Sequence, residues 1–347
     1  MASIPQTMSG ILIEEPGDAQ VLQWKTDIAV PQLSEGKILV KNEWVGVNYI
    51  DTYFRKGLYK APMPMITGGE AGGIVVNVHP SVTNFKAGDR VGYLASTRGS
   101  YAQYNVISPH TCIKLPDNVS TQTAAASLLQ GLTALTFIRE AYPVKAGDWI
   151  LVHAAAGGVG SILCEMCSSI GAKVIGTAGT PEKMETAKKN GAQWVISSRK
   201  TPDEIVAEVM KITKGHGIDC VFDGVGAATF EADLQLAARK ATLCVFGNAS
   251  GAVPPVDPLR LSAGTPAKNL KLMRPTLFGY IVTAEEFSKY ATELLGMIEK
   301  GIVKLEKTTT YQLENAKQAH IDLESRKTTG KLLFAGSPVG SRGIRQL

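Results

Sequence analysis

Hydrophobic and polar residues follow two different periods along this chain, and the change falls near residue 124. Before that point, short runs with β-strand alternation are separated by Gly, Pro and Asp. The pattern predicts a mostly β domain whose strands cover residues 10–14, 37–47, 73–78, 90–94 and 100–107.

After residue 124 a helical period begins, and strand-like and helix-like segments then alternate. Strands that alternate with helices of this length are typical of a parallel sheet covered on both faces. The pattern therefore predicts a doubly wound, Rossmann-type α/β domain. Its predicted strands are 149–154, 173–177, 194–197, 220–223, 241–246 and 268–272, and its predicted helices are 124–139, 159–169, 181–190, 203–213 and 228–237.

The chain beyond residue 275 contains no further β-α-β pattern, so we expect it to return to the first domain. Helices are predicted there at 284–300 and 314–324, and strands at 307–311 and 331–334. The predicted domain limits are 1–130 for the β domain, 131–274 for the parallel-sheet domain, and 275–347 for the returning segment and a C-terminal tail.

The composition agrees with a folded protein of about two domains, because 44% of the 347 residues are hydrophobic and 19% are charged. The net charge of +5 comes without a block of Lys or Arg, so charge does not favour a nucleic-acid partner. No apolar run reaches the roughly 18 residues of a membrane span, and the N-terminus has no leader pattern. Five cysteines lack the density of a disulfide scaffold, and together these features predict a cytoplasmic protein.

A glycine loop gives the strongest local signal. A predicted buried strand ends in Ala154-Ala155-Ala156-Gly157-Gly158-Val159-Gly160, and an apolar helix follows. The first glycines permit a tight bend and the close approach of a pyrophosphate, while Gly160 lets the helix pack near the strand. The free N–H groups at the helix N-terminus then point at the phosphates. This context predicts a dinucleotide-binding site.

The end of the second strand of that domain indicates which dinucleotide binds. An enzyme that uses NAD places a carboxylate there against the ribose hydroxyls. This chain has the hydroxyl of Thr177 instead, with Lys183 in the next helix and Arg199 after the third strand. Cations and hydroxyls suit a 2′-phosphate, so NADPH is the predicted cofactor, although Glu182 is a carboxylate close by.

A β domain joined to a nucleotide domain is the plan of the medium-chain alcohol dehydrogenases, many of which hold a catalytic zinc. Those enzymes carry Cys where this chain has Asn48 and His where it has Gly69. A four-cysteine lobe for structural zinc is missing as well. We therefore expect no metal, and we expect reduction of an electrophilic acceptor rather than oxidation of an alcohol.

Taken together, these motifs resemble a zinc-free quinone oxidoreductase of the ζ-crystallin type, within the medium-chain dehydrogenase/reductase superfamily. This resemblance implies a GroES-like catalytic domain beside the Rossmann-type domain. It spans about residues 8–334 and is carried by the segments 46–53, 55–59, 131–133, 154–160, 246–248, 274–275, 279–280 and 324–326.

The resemblance implies a set of cofactor contacts. Asn48 would lie beside the nicotinamide, Gly158 and Val159 would bind the pyrophosphate through backbone, and Lys183 would meet the 2′-phosphate. Ser198 and Gln130 depart from the family pattern and remove contacts, for which Arg199 compensates. Further residues implied around the cofactor are Thr133, Val225, Phe246, Gly247, Asn248, Phe278, Tyr280 and Arg326, of which Phe278 also departs from the pattern and narrows the pocket.

The resemblance also implies delivery of reducing equivalents from NADPH to a quinone or a conjugated enone in a cleft between the domains. Tyr53 and Tyr59 lie near Asn48 and Asp51 in the sequence, and we expect Tyr59 to orient the acceptor while Asn48 and Asp51 hold the local network. The alternative is that the tyrosines only line the pocket and water supplies the proton.

Three further possibilities stay open at this point. The same cleft suits an alkenal or enone reductase. Relatives of ζ-crystallin can also bind AU-rich RNA or serve as structural proteins, which the lack of a basic stripe does not favour. The resemblance also implies a homodimer that forms through edge strands of the nucleotide domain, here 241–246 and 268–272.

Overall fold

The structure, a computed structural model, describes residues 4–305, 307–325 and 327–336. Its first part is mostly β, with one short helix. The elements in chain order are β1 (Thr7–Ile13), β2 (Gln23–Ala29), β3 (Ile38–Val47), α1 (Tyr49–Arg55), β4 (Met65–Ile66), β5 (Glu70–Val78), β6 (Arg90–Leu94), β7 (Tyr104–Ile107) and β8 (Cys112–Lys114).

The middle part alternates helices and strands. These are α2 (Thr121–Thr136), β9 (Trp149–Val152), α3 (Gly158–Ile170), β10 (Lys173–Ala178), α4 (Pro181–Lys189), β11 (Trp194–Ser197), α5 (Pro202–Ile212), β12 (Ile218–Asp223), α6 (Phe230–Leu236), β13 (Ala237–Val245), β14 (Lys271–Met273) and α7 (Leu277–Tyr280). The last described part consists of α8 (Ala284–Glu299), β15 (Thr308–Gln312), α9 (Ala316–Glu324) and β16 (Lys331–Ala335).

The chain divides into two compact units. One contains the described residues up to Leu129, together with Thr283–Ser288 and the described residues from Lys307 onward. The other contains Gln130–Val282 and the described residues of the segment from Lys289 to residue 306. We call them the β unit and the parallel-sheet unit.

The β unit is built on two sheets. One has the strand order β2-β1-β4, and the other has the order β15-β16-β3-β5-β6-β8, with β7 also paired to β3. β16 pairs antiparallel with β3, so the C-terminal strands complete the N-terminal sheet. The core holds alternate residues of these strands, among them Ile11, Val40, Val75, Tyr93 and Phe334.

The parallel-sheet unit has one six-stranded sheet in the order β11-β10-β9-β12-β13-β14, and all five strand pairs in it are parallel. Ile150, Leu151 and Val152 of β9 are all buried. A central strand that is buried at every one of these positions needs cover on both faces, which the connecting helices provide. The predicted α/β fold class is confirmed.

The sequence pattern failed at a few elements. β2, β4 and β8 were not predicted. β7 begins only at Tyr104, because the residues before it hydrogen-bond to β1 of the other sheet, where the Ile11 N–H donates to the Tyr101 carbonyl at 2.8 Å. β13 also pairs with a strand on each side, so the expectation that 241–246 forms a sheet edge is wrong; β14 is the outer strand.

Candidate functional site

Four parallel strands of the second unit end at one edge of the sheet. Val152 of β9 lies in register with Gly176 of β10 and with Phe222 of β12, and Asp223 at the end of β12 lies in register with Val245 of β13. The loops that follow these strands carry most of the predicted cofactor residues. The carboxyl edge of a parallel sheet is where nucleotides bind in folds of this kind.

The glycine loop connects β9 to α3 at this edge. Gly157 is the N-cap of α3 and has extended backbone, and Gly158, Val159 and Gly160 form the first helical turn. No side chain caps this end of the helix. The N–H groups of the first turn have no partner within the helix, so the helix N-terminus offers them, with its partial positive charge, to an anion.

The same loop shows what the glycines are for. The left-handed residue of the bend is Ala154 (φ 51°), so the prediction that the first glycines make the bend is wrong. Glycine is required instead for close approach. A Cβ at Gly160 would overlap the carbonyl oxygen of Ala154, and one at Gly158 would overlap the side-chain amide of Gln130. Gln130 therefore lies directly against the first turn of α3.

Thr177 lies at the end of β10, but its side chain is buried. Its hydroxyl is 3.0 Å from Nδ1 of His153, whose Nε2 is 2.8 Å from Asp233. Burial lowers the pKa of His153, but the charge and hydrogen bond of Asp233 outweigh it and raise that pKa to about 9. Thr177 is therefore held from inside the unit, a contact that no local sequence signal predicts.

Lys183 is the third residue of α4, where its backbone N–H donates to the capping hydroxyl of Thr180 at 3.3 Å. Glu182 is the second residue. Hydrogen bonds from its own backbone N–H and from the Thr180 side chain lower the pKa of Glu182, and the charge of Arg199 adds to this shift. Lys183, Arg199 and Glu182 are thus grouped at the start of α4, beyond the end of β10.

The loops after β12 and β13 are tied together by Asp223. Its side chain accepts hydrogen bonds from the backbone N–H groups of Val225 (2.6 Å) and Gly226 (3.1 Å). Its carbonyl accepts the N–H groups of Phe246 (2.8 Å) and Gly247 (3.3 Å). A Cβ at Gly247 would overlap the Gly224 carbonyl, so the two loops touch backbone to backbone.

Arg274 fixes the second of these loops from the far side, because its Nη1 donates to the carbonyl oxygens of Val245 and Gly247 at 3.0 Å each. The sequence motif contained this arginine, but its bracing role is visible only in the fold. The ring of Phe246 packs on Phe137, with centroids 5.1 Å apart.

The other implied cofactor residues belong to several different elements. Thr133 is a buried residue of α2, Phe278 and Tyr280 are half-buried in the short helix α7, and Asn248 follows Gly247 in its loop. Arg326 lies outside the described residues. Their roles at the cofactor stay predictions.

The β unit brings together a second group of predicted residues around Asn48, the N-cap of α1. The Asn48 amide donates to Glu70 Oε2 at 2.9 Å and accepts from Lys331 Nζ at 2.7 Å. Lys331 also pairs with Glu70 Oε2 at 2.6 Å, and Glu70 Oε1 accepts the backbone N–H of Leu129 at 2.7 Å. All three side chains are buried, and Lys331 is only 3% exposed. The carboxamide of Asn48 is therefore fixed in orientation.

Asp51 belongs to a neighbouring buried chain of hydrogen bonds. Its Oδ2 accepts from the backbone N–H of Asn48 (2.9 Å) and from the hydroxyl of Tyr101 (3.0 Å). The Tyr101 hydroxyl lies 3.1 Å from Nε2 of His320, whose Nδ1 is 3.0 Å from Arg55 Nη1. Arg55 only donates, so His320 accepts at Nδ1 and donates from Nε2, and Tyr101 donates to Asp51. Burial, followed by the Arg55 charge, lowers the pKa of His320 to about 3, which keeps it neutral.

Tyr53 and Tyr59 lie close to these networks. Tyr53 is a buried residue of α1, and its ring packs edge-on against Tyr59, with centroids 5.3 Å apart. Tyr59 is half-buried and also packs against Phe54 at 5.5 Å. Asn48, Asp51 and Tyr53 thus lie in or at the start of α1, and Tyr59 packs on Tyr53, while a role of these four residues at the acceptor stays a prediction. Sequence reasoning missed Lys331, Tyr101 and His320, which lie far away along the chain.

Gly69 lies next to a guanidinium group. A Cβ at this position would overlap Nη1 of Arg98, which fills the space beside the backbone of residue 69. Within the described ranges, no group of three or more His, Cys, Asp or Glu side chains is arranged to hold a metal ion. No helix in the described part of the chain is both long and apolar enough to cross a membrane.

Comparison with known proteins defines first the class and then the family. The model of the alcohol dehydrogenase GroES-like domain matches residues 34–117, and that of the zinc-binding dehydrogenases matches residues 158–296. These two matches place the chain among the medium-chain dehydrogenases/reductases. They also identify the β unit as the one that contains the GroES-like domain.

Individual relatives narrow the class. A probable quinone oxidoreductase of Schizosaccharomyces pombe is 42% identical over 94% of this chain and 97% of its own. The structure of Escherichia coli quinone oxidoreductase complexed with NADPH matches with a TM-score of 0.90 and 39% identity, covering 94% of this chain and 99% of that one. A 2-haloacrylate reductase from Burkholderia sp. is 31% identical over 93% of this chain and 97% of its own. The chain belongs to the quinone oxidoreductase family, and the resemblance seen in its motifs is confirmed.

Proposed function

We propose that this protein catalyses the NADPH-dependent reduction of quinones. The observation that carries the proposal is the carboxyl edge of the parallel sheet. There the N-terminus of α3 has no side-chain cap, and β10 has no carboxylate that could bind a ribose. Similarity to quinone oxidoreductases over nearly the whole chain, including one complexed with NADPH, supports the same function.

Each part of NADPH is assigned to a different group of residues at this edge. The backbone N–H groups of Gly158, Val159 and Gly160 hold the pyrophosphate, and the two glycines let this turn pack against Gln130 and Ala154, where a Cβ would clash. Lys183 and Arg199 hold the 2′-phosphate. The bound cofactor supplies the hydride. In the β unit, Asn48 and Asp51 are held in buried networks, and Tyr59 orients the oxygen of the acceptor.

A second candidate is the reduction of the double bond of an enone or an α,β-unsaturated acid. The relative named 2-haloacrylate reductase favours it, because that name describes a substrate with a conjugated double bond. Both reactions need the same cofactor and an electrophilic acceptor, so only turnover separates them.

The experiment is a turnover screen with the purified protein, in which the oxidation of NADPH is followed by absorbance. An ortho-quinone, an alkenal and 2-chloroacrylate serve as acceptors, and NADH replaces NADPH as the control. We expect the quinone to be preferred, and NADPH to exceed NADH by about tenfold or more in kcat/KM, equivalent to about 1.4 kcal/mol of transition-state binding. Faster turnover of the alkenal or of the acid would establish the second candidate, and equal use of NADH would overturn the role of Lys183 and Arg199.

We also propose that the protein forms a homodimer, with β14 pairing across the interface because it is an outer strand of its sheet. Sedimentation at micromolar concentration should give twice the 37.0 kDa chain mass. A monomer would contradict this arrangement.

The cellular setting and an RNA partner are separate questions. All five cysteines are free and buried, which fits a reducing compartment, and we place the protein in the cytoplasm. Cell fractionation tests this placement. RNA binding is the less favoured alternative, and it would be supported only if a U-rich oligonucleotide displaced NADPH.

A further inference from the structure

Arg98 is a buried cation that lacks hydrogen bonds at two of its three side-chain nitrogens. The residue is only 6% exposed, and neither Nε nor Nη1 has a hydrogen-bond partner. Its guanidinium carbon lies 4.0 Å from the centroid of the Phe54 ring, and Gly69 gives it room by lacking a Cβ. Leaving such donors unsatisfied in the interior costs free energy, so the site calls for an acceptor atom.

The other buried cations of the β unit are fully engaged. Arg55, which is completely buried, meets Gly17, His320 and Glu324 through three different nitrogens. Lys331 meets Asn48 and Glu70. Arg55 and Lys331 thus have hydrogen-bond partners within the fold, whereas Nε and Nη1 of Arg98 have none.

A matching acceptor lies near it in Asp51. Oδ2 of Asp51 accepts two hydrogen bonds, while Oδ1 is buried and has no partner. Burial raises the pKa of Asp51, and the charge of Arg98 is the largest influence that opposes this. The two groups thus interact through their charges while donors on one and an acceptor on the other stay without hydrogen bonds.

We infer that Arg98, with Asp51, binds an oxygen atom of the electron acceptor. An oxygen held here accepts a hydrogen bond from the Arg98 guanidinium, as a quinone carbonyl can. Reduction adds a hydride from NADPH, which becomes NADP+, and one proton taken from water, and this oxygen is then a hydroxyl that also donates to Oδ1 of Asp51. Arg98 has donors without a partner, and Asp51 has an acceptor without a partner. The site therefore fits a carbonyl that becomes a hydroxyl better than it fits a carboxylate, which can only accept. This inference rests on the proposed function, and it makes Arg98 a determinant of acceptor specificity.

The test compares Arg98→Met with Arg98→Lys, and uses Arg90→Met as the matched control, because Arg90 is a half-buried arginine of the same unit whose guanidinium already donates to the carbonyl oxygen of Val119. The measurements are kcat and KM for the ortho-quinone, the Kd of NADPH by fluorescence titration, and the melting temperature. For Arg98→Met we expect kcat/KM for the quinone to fall tenfold or more, mainly through KM, with the Kd of NADPH within about twofold of wild type.

The KM for the quinone separates a binding role from a structural one. Arg98→Met removes the unsatisfied donors, but it also leaves the buried carboxyl group of Asp51 without its facing charge, so the melting temperature should fall in either case. Arg98→Lys should recover part of the quinone affinity, since it restores a donor without the guanidinium geometry. Arg90→Met should retain the KM of wild type.

Other results would overturn the inference. An unchanged KM for quinone with a lower melting temperature would make Arg98 a structural brace. An equal loss of NADPH affinity would assign it to the cofactor, and the same loss of quinone affinity in Arg90→Met would show that the effect is not specific to Arg98. If wild-type protein does not reduce quinones, the proposed function itself fails, and the inference fails with it.

Discussion

The hydroxyl of Tyr59 is the feature that a single-residue experiment can test most directly. Its ring is fixed by Tyr53 and Phe54, so loss of the hydroxyl leaves the packing in place. If the phenol orients the acceptor, Tyr59→Phe should lower kcat/KM for quinone by about tenfold, the effect of one lost hydrogen bond, without changing the Kd of NADPH.

Tyr49→Phe is the control for this substitution, because the Tyr49 ring also packs edge-on against Tyr53, with ring centroids 5.6 Å apart. It should behave as wild type. Full turnover by Tyr59→Phe across the pH range would mean that the tyrosine only lines the pocket and that water supplies the proton.

The buried triad of Asn48, Glu70 and Lys331 shows what residue patterns miss. Asn48 and Glu70 stand in motifs that the sequence displays, but Lys331 comes 261 residues after Glu70. A lysine at the start of a strand ordinarily faces water, and only the pairing of β16 with β3 brings this one into the interior. Removing one partner of such a buried pair typically costs about 3–5 kcal/mol, because the other charge is left uncompensated.

The uncapped N-terminus of α3 is the functional feature at the scale of an element. Gly157 has φ −81° and ψ 172°, which other residues also adopt, so a side chain is tolerated there by the backbone. In Gly157→Asp the new carboxylate caps the helix and favours its dipole, and we expect the free energy of unfolding of the free protein to rise by a few tenths of a kcal/mol, up to about 1.

The same carboxylate takes up the N–H groups that the pyrophosphate needs and repels its charge. The Kd of NADPH should therefore rise by tenfold or more, as measured by fluorescence titration. Gly157→Ala adds the same Cβ, 3.1 Å from the Ala154 carbonyl, without a capping oxygen, and it separates the steric effect from the electrostatic one. Equal Kd values for the two variants would argue against a phosphate at this helix end.

Elements with a strong period were predicted within a few residues of their bounds. α3, predicted at 159–169, spans Gly158–Ile170, and β11 is predicted without error. β2 was missed because its residues are half-buried or exposed and carry Lys25 and Asp27, so that it lacks an apolar alternation. Tertiary pairing with β1 makes it a strand.

At the scale of the whole molecule, two buried histidines give the two units opposite responses to pH. His320, faced by Arg55, Tyr101 and the Glu324 charge, has a pKa lowered to about 3 from about 6.5. Between about pH 3 and about pH 6.5, the unfolded chain binds a proton at this histidine and the folded β unit does not. The stability from this site is therefore complete above about pH 6.5, and it falls by about 1.4 kcal/mol per unit as the pH drops toward 3.

His153 acts in the other direction. It is faced by Thr177, Asp233 and the charge of Asp223, and its pKa is raised to about 9. The folded parallel-sheet unit holds a proton there that the unfolded chain releases above about pH 6.5. Its contribution is complete below that pH and is lost as the pH rises through about 9.

Hydrogen exchange measured for each unit between about pH 5 and about pH 9 tests this prediction. Protection of the β unit should weaken on the acid side and that of the parallel-sheet unit on the alkaline side. His320→Asn should flatten only the first dependence, and His153→Asn only the second. Parallel pH profiles in the two units, unchanged in the variants, would refute the assignment.

The sequence by itself determined the α/β class, the β-α alternation, the glycine loop and the family motifs, because each depends on residues close together along the chain. Their period, turn chemistry and spacing can be read without a fold. Only the tertiary structure decided that Lys331 reaches Asn48, that Tyr101 links His320 to Asp51 by hydrogen bonds, and that Arg98 is buried without a hydrogen-bond partner at two of its nitrogens. Those contacts join residues on distant strands, and burial and desolvation, which set their charges, exist only once the sheets have formed.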